Sequence, residues 1–359
     1  MSQVAVLGAG AGGRSAVVEL TRAGHRVRLW NRSPATLAPI QDRGAIAYTG
    51  VLGRGEAVPD LITTDLAEAT ADAAAVIVCL PALAHAELFA ELARLHPSAP
   101  MILNPGQTGG VLHARAVFAS LGSTLPPMVE FSTLTYVARV GADGELSTTS
   151  RARVVRSGAL PGHEAAQQWA VDLFPGAEPV RDVLASSLAN VNLVLHAPGA
   201  VLSAAWVEAT GGDFRFYVDA MTPGVARVIE ALDAERLAVA RAYGHTLVPL
   251  IAEMAAIGTA DESAAAAGDV VAAIASGAAN ARIKAPDSYA HRYYREDLGY
   301  SLKAFVALAQ LASVPTPTAG ALVALGSTAA AIPPGYGLDA RALGIDSLTF
   351  DELCTLVRT

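Results

Sequence analysis

Val4-Ala5-Val6-Leu7-Gly8-Ala9-Gly10-Ala11-Gly12-Gly13 passes from four apolar residues into a glycine turn, and residues 14–23 continue with helical periodicity up to Gly24. A short apolar strand, a Gly-x-Gly-x-x-Gly turn and a helix together form the fingerprint of a dinucleotide-binding βα unit. Gly8 permits the tight turn, Gly10 lets a pyrophosphate approach the backbone, and Gly13 lets the helix pack closely on the strand. The helix N-terminus then offers free N–H groups to the phosphates. Working outward, residues 25–30 read as the next strand. Residues 74–80 are apolar throughout, as in a strand buried on both faces. Pro81, which ends that run, is a candidate cofactor contact. Residues 101–104 repeat the pattern up to Pro105-Gly106, and Met128–Phe131 repeats it again. Strands alternating with helices predict a parallel sheet with helices on both sides. Tyr136–Val140 and residues 152–156 are expected as further strands, antiparallel, closing this first domain.

The end of the second strand bears on which dinucleotide binds. An NAD-type unit places Asp or Glu there to hold the ribose 2′-hydroxyl. This chain has Asn31-Arg32-Ser33. Arg32 can pair with a 2′-phosphate, Asn31 and Ser33 can donate hydrogen bonds, and no carboxylate in the triplet repels it. The reading predicts NADP(H) over NAD(H), with NAD(H) still possible.

The chain has 359 residues, 52% of them hydrophobic and 16% charged, which predicts two domains with sizeable cores and excludes a disordered chain. A net charge of −8 argues against a nucleic-acid surface, which needs a basic stripe. Mean hydropathy is +0.39, yet no apolar run reaches the ~18 residues a membrane span needs. The N-terminus lacks the basic region of a signal peptide, so it is read as mature protein. Cys79 and Cys354 make no disulfide framework and are expected as buried thiols in a reducing cytoplasm. Metal binding has little support: no pair of histidines has ligand spacing in a helix, and the two cysteines are far apart.

Strand signals fade after residue 183, and the domain boundary is expected near 180: residues 1–180 as an α/β Rossmann-type domain, residues 181–359 as an all-α domain. Thr222-Pro223 starts a helix expected over residues 225–243, ended by Gly244. Residues 260–276 and 301–312 are expected as helices, with one more after Pro317.

Two stretches of the second half carry chemistry. Ser187-Leu188-Ala189-Asn190-Val191-Asn192-Leu193-Val194-Leu195-His196-Ala197-Pro198 reads as a buried helix with one histidine beside a proline kink. A lone histidine on an apolar helix serves either as a core residue or as an acid/base near neutral pH. Tyr289-Ala290-His291-Arg292-Tyr293-Tyr294-Arg295-Glu296-Asp297-Leu298 places Arg292 where it could clamp a carboxylate, and Asp297 where it could hold a histidine's second nitrogen. An ordinary cap cluster with surface ion pairs fits the same residues.

The glycine fingerprint, Asn104-Pro105-Gly106-Gln107-Thr108-Gly109-Gly110, the run from Ser187 to Pro198 and the run from Arg292 to Asp297 together resemble the octopine/nopaline dehydrogenase family, especially its bacterial opine dehydrogenases. The resemblance covers nearly the whole chain, including Phe216-Tyr217 and Asp233-Ala234-Glu235-Arg236. It implies an active site in the cleft between a dinucleotide-binding domain and a helical domain. It also implies condensation of an α-keto acid, often pyruvate, with an amino acid or amine, and reduction of the resulting imine. By the same resemblance His196 and Asp297 form the acid/base pair, Arg292 binds the keto-acid carboxylate, Gln107 lies near the keto acid, and Ser132 lies near a threonine that responds to domain closure. The departure is Asn31-Arg32-Ser33, where close relatives carry an acidic residue. Helical second domains of such enzymes commonly form the dimer contact, so a homodimer is expected. Trp206, Phe214, Phe216, Tyr217 and Tyr293 are candidate walls of the amine pocket. Two rival readings stand beside this one. A ketopantoate reductase or β-hydroxyacid dehydrogenase needs a catalytic lysine on the first long helix of its second domain, but Lys284 and Lys303, the only lysines, lie far downstream. A non-catalytic NADP-binding protein would not need His196, Arg292 and Asp297 together.

Overall fold

Val4, Ala5, Val6 and Leu7 are wholly buried, and the strand they form, β1 (Gln3–Leu7), lies well inside an eight-stranded sheet. The computed structural model describes residues 1–277 and 280–358. The further strands are β2 (Arg26–Trp30), β3 (Ile46–Gly50), β4 (Gly55–Ala57), β5 (Leu61–Thr63), β6 (Ala75–Val78), β7 (Met101–Leu103), β8 (Met128–Phe131), β9 (Tyr136–Val140), β10 (Leu146–Arg151), β11 (Val155–Ala159) and β12 (Ala177–Pro179). The large sheet has the order β12-β11-β8-β7-β6-β1-β2-β5. β1 pairs in parallel with β2 on one side and β6 on the other, with Leu7 opposite both Trp30 and Val78. The chain runs outward from β1 to β2 and β5, then returns to β6 on the far side of β1. A reversal of that kind opens a crevice beyond the carboxyl ends of the strands, where ligands of such sheets bind.

The expected antiparallel closure is real but displaced. β11 runs antiparallel to β8, with Ser157 opposite Phe131, and covers residues 155–159 rather than 152–156. β9 joins a second sheet of order β4-β3-β10-β9. That small sheet packs on the helix Ala11–Arg22 through polar pairs. Ser15 Oγ lies 2.9 Å from Thr148 Oγ1, and Glu19 accepts from Arg151 Nε at 2.7 Å and from Tyr136 Oη.

No named strand follows Pro179 among the described residues. Asp182 caps the helix Val183–Leu188 by accepting from Leu184 N and Ala185 N at 3.0 Å, and Asn190 caps Val191–Leu202 through Asn192 N. Loss of such a cap costs about 1 kcal/mol. Thr222 and Pro223 open the helix Pro223–Ala242 as the sequence predicts. Buried Arg236 ties that helix to both neighbours: Nε donates to Asp233, Nη1 to Leu188 O and Nη2 to Val248 O.

Two helical expectations need correction. Residues 260–276 form two short helices, Glu262–Ala266 and Val270–Ala275, because Gly268 turns at φ +75° and Asp269 caps a new start. The helix carrying His196 runs through Pro198 to Leu202, and the 60° bend falls after it, before Ala204–Thr210. Pro198 forfeits one hydrogen bond, while burial on nearly every side keeps the helix intact. No single helix is long and apolar enough to cross a membrane. Both thiols are free, but half-buried rather than fully buried.

A carboxylate seals the seam between the two halves. Glu130, at the end of β8, is fully buried and accepts from Ser186 Oγ at 3.0 Å, from Ser187 Oγ and from Val111 N at 2.8 Å. Ser187 Oγ also accepts from Gly109 N at 2.8 Å.

Candidate active site

A cleft of about 1390 Å³ lies between the sheet and the helices, lined by Gly10 and Pro81 from one half and by His196, Tyr217, Tyr293 and Arg292 from the other. Its nucleotide end is made of backbone. A Cβ on Gly13 would stand 1.8 Å from Gly8 O, and one on Gly8, at φ +118°, would stand 2.4 Å from Cys79 O. A Cβ on Gly10 would meet nothing within 4 Å. Gly8 and Gly13 are thus demanded by packing, while Gly10 faces open space. Gly10 starts the helix Ala11–Arg22 with no side-chain cap, so the first N–H groups are left for an anion. Asn31 latches this loop, its Oδ1 accepting from Ala9 N at 3.1 Å, and buried Arg14 donates to Ala9 O at 2.8 Å. These features fit a dinucleotide: the loop and the helix N-terminus would hold its pyrophosphate.

Arg32 and Ser33 lie on the exposed rim. The triplet itself has no carboxylate, but the helix His85–Leu95 brings Glu87 against Arg32 in an ion pair.

The other end is made of side chains. His196 Nδ1 lies 2.9 Å from Asp297 Oδ2, across 101 positions of sequence, and both residues are buried. His196 Nε2 lies 2.7 Å from Tyr217 Oη, and Tyr293 stacks on the ring at 4.1 Å. The helix Arg292–Glu296 passes directly into a π-helical turn, Asp297–Leu302. Arg292 and Glu296 are one helical turn apart, and Arg292 Nε lies 3.3 Å from Glu296 Oε2. That contact lacks hydrogen-bond alignment, and Oε2 remains a buried acceptor without a donor. Glu296 Oε1 reaches across the cleft to accept from Ala82 N at 2.8 Å and Gln107 Nε2 at 3.2 Å. Burial pushes Glu296 above the usual carboxylate range against the pull of Arg292. The Arg292 side chain is 45% exposed and free to meet an anion arriving in the cleft.

Gln107 sits at φ +58°, a sparsely populated conformation for a side-chain-bearing residue. Its amide is held by Glu296 and by donors from Asn190 at 3.3 Å and Ser301 at 3.2 Å. Asn104 Oδ1 accepts from Thr135 N and Oγ1, which leaves its buried Nδ2 without a partner beside the cleft.

The structure thus gathers His196, Asp297, Arg292 and Gln107 in one place. Ser132 stands apart. It is buried, its Oγ accepts from Arg156 N at 3.1 Å within the sheet, and Thr133 and Thr135 line the cleft instead. Of the proposed amine-pocket walls, Tyr217 and Tyr293 line the cleft. Phe216 packs edge-on beneath His196, and Trp206 stacks on Phe214 away from the lining. Glu296 escaped the sequence reading although its i,i+4 spacing from Arg292 was a usable signal. The contact of Tyr217 with His196 had no such signal, because 21 residues and a helix end separate them.

A family model described as the α-helical domain of NAD/NADP octopine/nopaline dehydrogenase matches residues 179–330, and one for ketopantoate reductase PanE/ApbA matches residues 4–104. An opine dehydrogenase of Arthrobacter sp. (strain 1C) is 32% identical over 326 residues, covering 89% of each chain. Among solved structures, octopine dehydrogenase with NADH and L-arginine superposes with a TM-score of 0.77 at 20% identity, over 99% of this chain and 98% of that one. Yersinopine dehydrogenase with NADP⁺ bound gives 0.70 at 14% identity, over 99% and 97%. The ketopantoate reductase likeness among family models is confined to the nucleotide half, whereas the opine dehydrogenase likeness runs through both halves. The chain belongs to the octopine/nopaline dehydrogenase family, NAD(P)-dependent oxidoreductases that act on CH–NH bonds.

Proposed function

We propose that the chain joins an α-keto acid of the pyruvate class to an amino acid or amine, with His196 and Asp297 as its acid/base pair. The observation that carries the reading is the buried His196–Asp297 contact at 2.9 Å, beside a half-exposed Arg292 in the same cleft. Residues 1–180 would hold the dinucleotide and residues 181–359 the amine. When bound, the reduced nicotinamide supplies the hydride. Arg292 pairs with the keto-acid carboxylate in the fork geometry that suits guanidinium, and Gln107 holds the neighbouring oxygen. Asp297 fixes the His196 tautomer with Nδ1 protonated and supports the imidazolium. The imidazolium yields a proton as the carbinolamine loses water, and a protonated iminium carbon accepts hydride far more readily than a neutral imine. In reverse, neutral His196 takes a proton from the secondary amine.

NADP(H) is the proposed preferred dinucleotide, supported by Arg32 and by the lack of a carboxylate in the Asn31-Arg32-Ser33 triplet; NAD(H) remains an accepted alternative. A homodimer through the helical half and a cytoplasmic setting complete the proposal. Sedimentation showing only monomer at micromolar protein would remove the dimer. The deciding assay follows NADPH and NADH oxidation while pyruvate and glyoxylate are crossed with all amino acids and simple amines. Oxidation that requires both a keto acid and an amine is the expected result. Turnover of a keto acid without amine would turn the reading toward a ketone reductase.

A further inference from the structure

Both ring nitrogens of His196 are occupied within the protein. Nδ1 lies 2.9 Å from Asp297 Oδ2, Nε2 lies 2.7 Å from Tyr217 Oη, and that oxygen lies 3.0 Å from Tyr293 Oη. With Asp297 ionised, Nδ1–H donates to it, and Nε2 of the neutral imidazole can only accept. The Tyr217 hydroxyl therefore donates to Nε2, and the Tyr293 hydroxyl donates to the Tyr217 oxygen. Protonation of His196 reverses this order: Nε2–H donates to Tyr217, and the Tyr217 hydroxyl turns outward. Tyr217 and Tyr293 line the cleft beside His196, and the Tyr217 hydroxyl is the group that takes up the hydrogen bond of Nε2 there. The ring of His196 cannot easily swing past them. It is stacked on Tyr293 at 4.1 Å and backed edge-on by Phe216, which also meets Tyr217 at 5.0 Å.

We propose that Tyr217 is a further catalytic residue, carrying the proton between His196 Nε2 and the substrate, with Tyr293 orienting its hydroxyl. This rests on the reading of His196 as the acid/base group. In the dehydration step the Tyr217 O–H bond breaks and its proton joins the carbinolamine hydroxyl. The carbon–oxygen bond breaks, water leaves, and the nitrogen lone pair closes the C=N bond of an iminium. The Nε2 proton of the imidazolium passes to the Tyr217 oxygen in the same event. Tyrosine ends neutral, His196 ends neutral beside Asp297, and nothing is oxidised or reduced. Burial, reinforced by Tyr293 and Asp297, holds the Tyr217 hydroxyl well above its ordinary pKa, so a free tyrosinate is avoided and the two transfers are concerted.

Tyr217→Phe keeps the ring and removes the relay. The expected result is a kcat lowered roughly 10²-fold, the lower range for a positioned proton donor, with keto-acid KM, dinucleotide affinity and melting temperature unchanged. In mixtures of H₂O and D₂O, the dependence of kcat on deuterium content should be curved for the wild type, where two protons move, and straight for Tyr217→Phe. Tyr293→Phe should lose less activity and keep the curvature. A Tyr217→Phe enzyme with wild-type or higher kcat would overturn the relay and make the hydroxyl a plug that substrate displaces. Measuring His196→Ala alongside separates the two readings: if it too keeps full kcat, the acid/base assignment has failed rather than the relay. Should Tyr217→Phe melt early, Tyr217→fluorotyrosine replaces it. The kcat then follows the acidity of the phenol if the relay operates, and ignores it if the hydroxyl is a plug.

Discussion

The nucleotide end of the cleft presents backbone, and the helical end presents side chains. At the first end, Gly8 and Gly13 are fixed by carbonyl oxygens of Cys79 and Gly8 that leave no room for a Cβ. At the second, His196, Asp297, Glu296 and Arg292 depend on one another across gaps as wide as 101 residues. A backbone site is written locally, in the spacing of small residues. A side-chain site is written in pairs that only the fold brings together. The two ends should therefore fail differently when changed, one through shape and the other through chemistry.

The largest difference is expected at His196. His196→Ala should lower kcat by roughly 10²–10⁴-fold while dinucleotide binding at the other end survives. Asp297→Asn should also lower kcat, and the double variant should be little worse than His196→Ala, because the two act as one unit. A natively melting His196→Ala with normal kcat would erase the chemical half of the contrast.

Next in size is the seam between the two ends. Burial raises the Glu130 carboxyl to about 7, against the donors Ser187, Val111 N and Ser186. The folded state thus binds a proton that the unfolded chain has already lost. The associated stability is full below pH ~4.5 and is lost as pH rises through about 7, a change of about 3 kcal/mol. Melting should fall between pH 5 and 8, and Glu130→Gln should flatten the curve. An equally steep curve in that variant would show that another group is responsible.

Glycine substitutions sharpen the backbone side. Gly13→Ala must displace Gly8 O and should cost about 1–3 kcal/mol or more of stability. Gly10→Ala should melt normally and bind dinucleotide more weakly, as calorimetric titration would show. Equal melting of the two variants would remove the distinction between packing glycine and ligand glycine.

The smallest effect belongs to the rim. Arg32 and Glu87 are 72% and 70% exposed, so solvent screens their pair and any phosphate contact there to about 0.2–1 kcal/mol. Arg32→Ala should raise KM for NADPH only a few-fold and leave NADH unaffected, while Glu87→Gln should favour NADPH slightly. Equal losses with both dinucleotides would make Arg32 structural.

This contrast also explains what could be read from the sequence. β1, β6 and β7 were legible because strands buried on both faces are near-continuous apolar runs, and β2 because its apolar residues follow the helix stop at Gly24. β10, Leu-Ser-Thr-Thr-Ser-Arg, was not, because Leu146 is its one apolar residue and the others meet the helix Ala11–Arg22 through a hydroxyl pair and an ion pair. Gly268 was hidden within an alanine run, where helix propensity outweighed a single turn residue. His196, Arg292 and Asp297 could be named from motif, but not their distances. Ser132 follows directly on β8 and holds Arg156 N, while Thr133 and Thr135 are the hydroxyls that line the cleft. Glu296 and the Tyr217 contact required the folded chain.

The π-helical turn at Asp297–Leu302 gives this segment a tolerance of length that a regular helix lacks. A π turn holds one residue more than an α turn, much as if a single residue had been inserted into a regular helix. Deleting one residue between Asp297 and Lys303 would restore the ordinary winding and leave Glu296 and Asp297 in phase with the helix Lys303–Leu311. A single-residue gap within this turn in a related chain would therefore mark a regular helix that keeps both contacts, whereas a gap inside the helix Lys303–Leu311 would turn everything beyond it by about 100°.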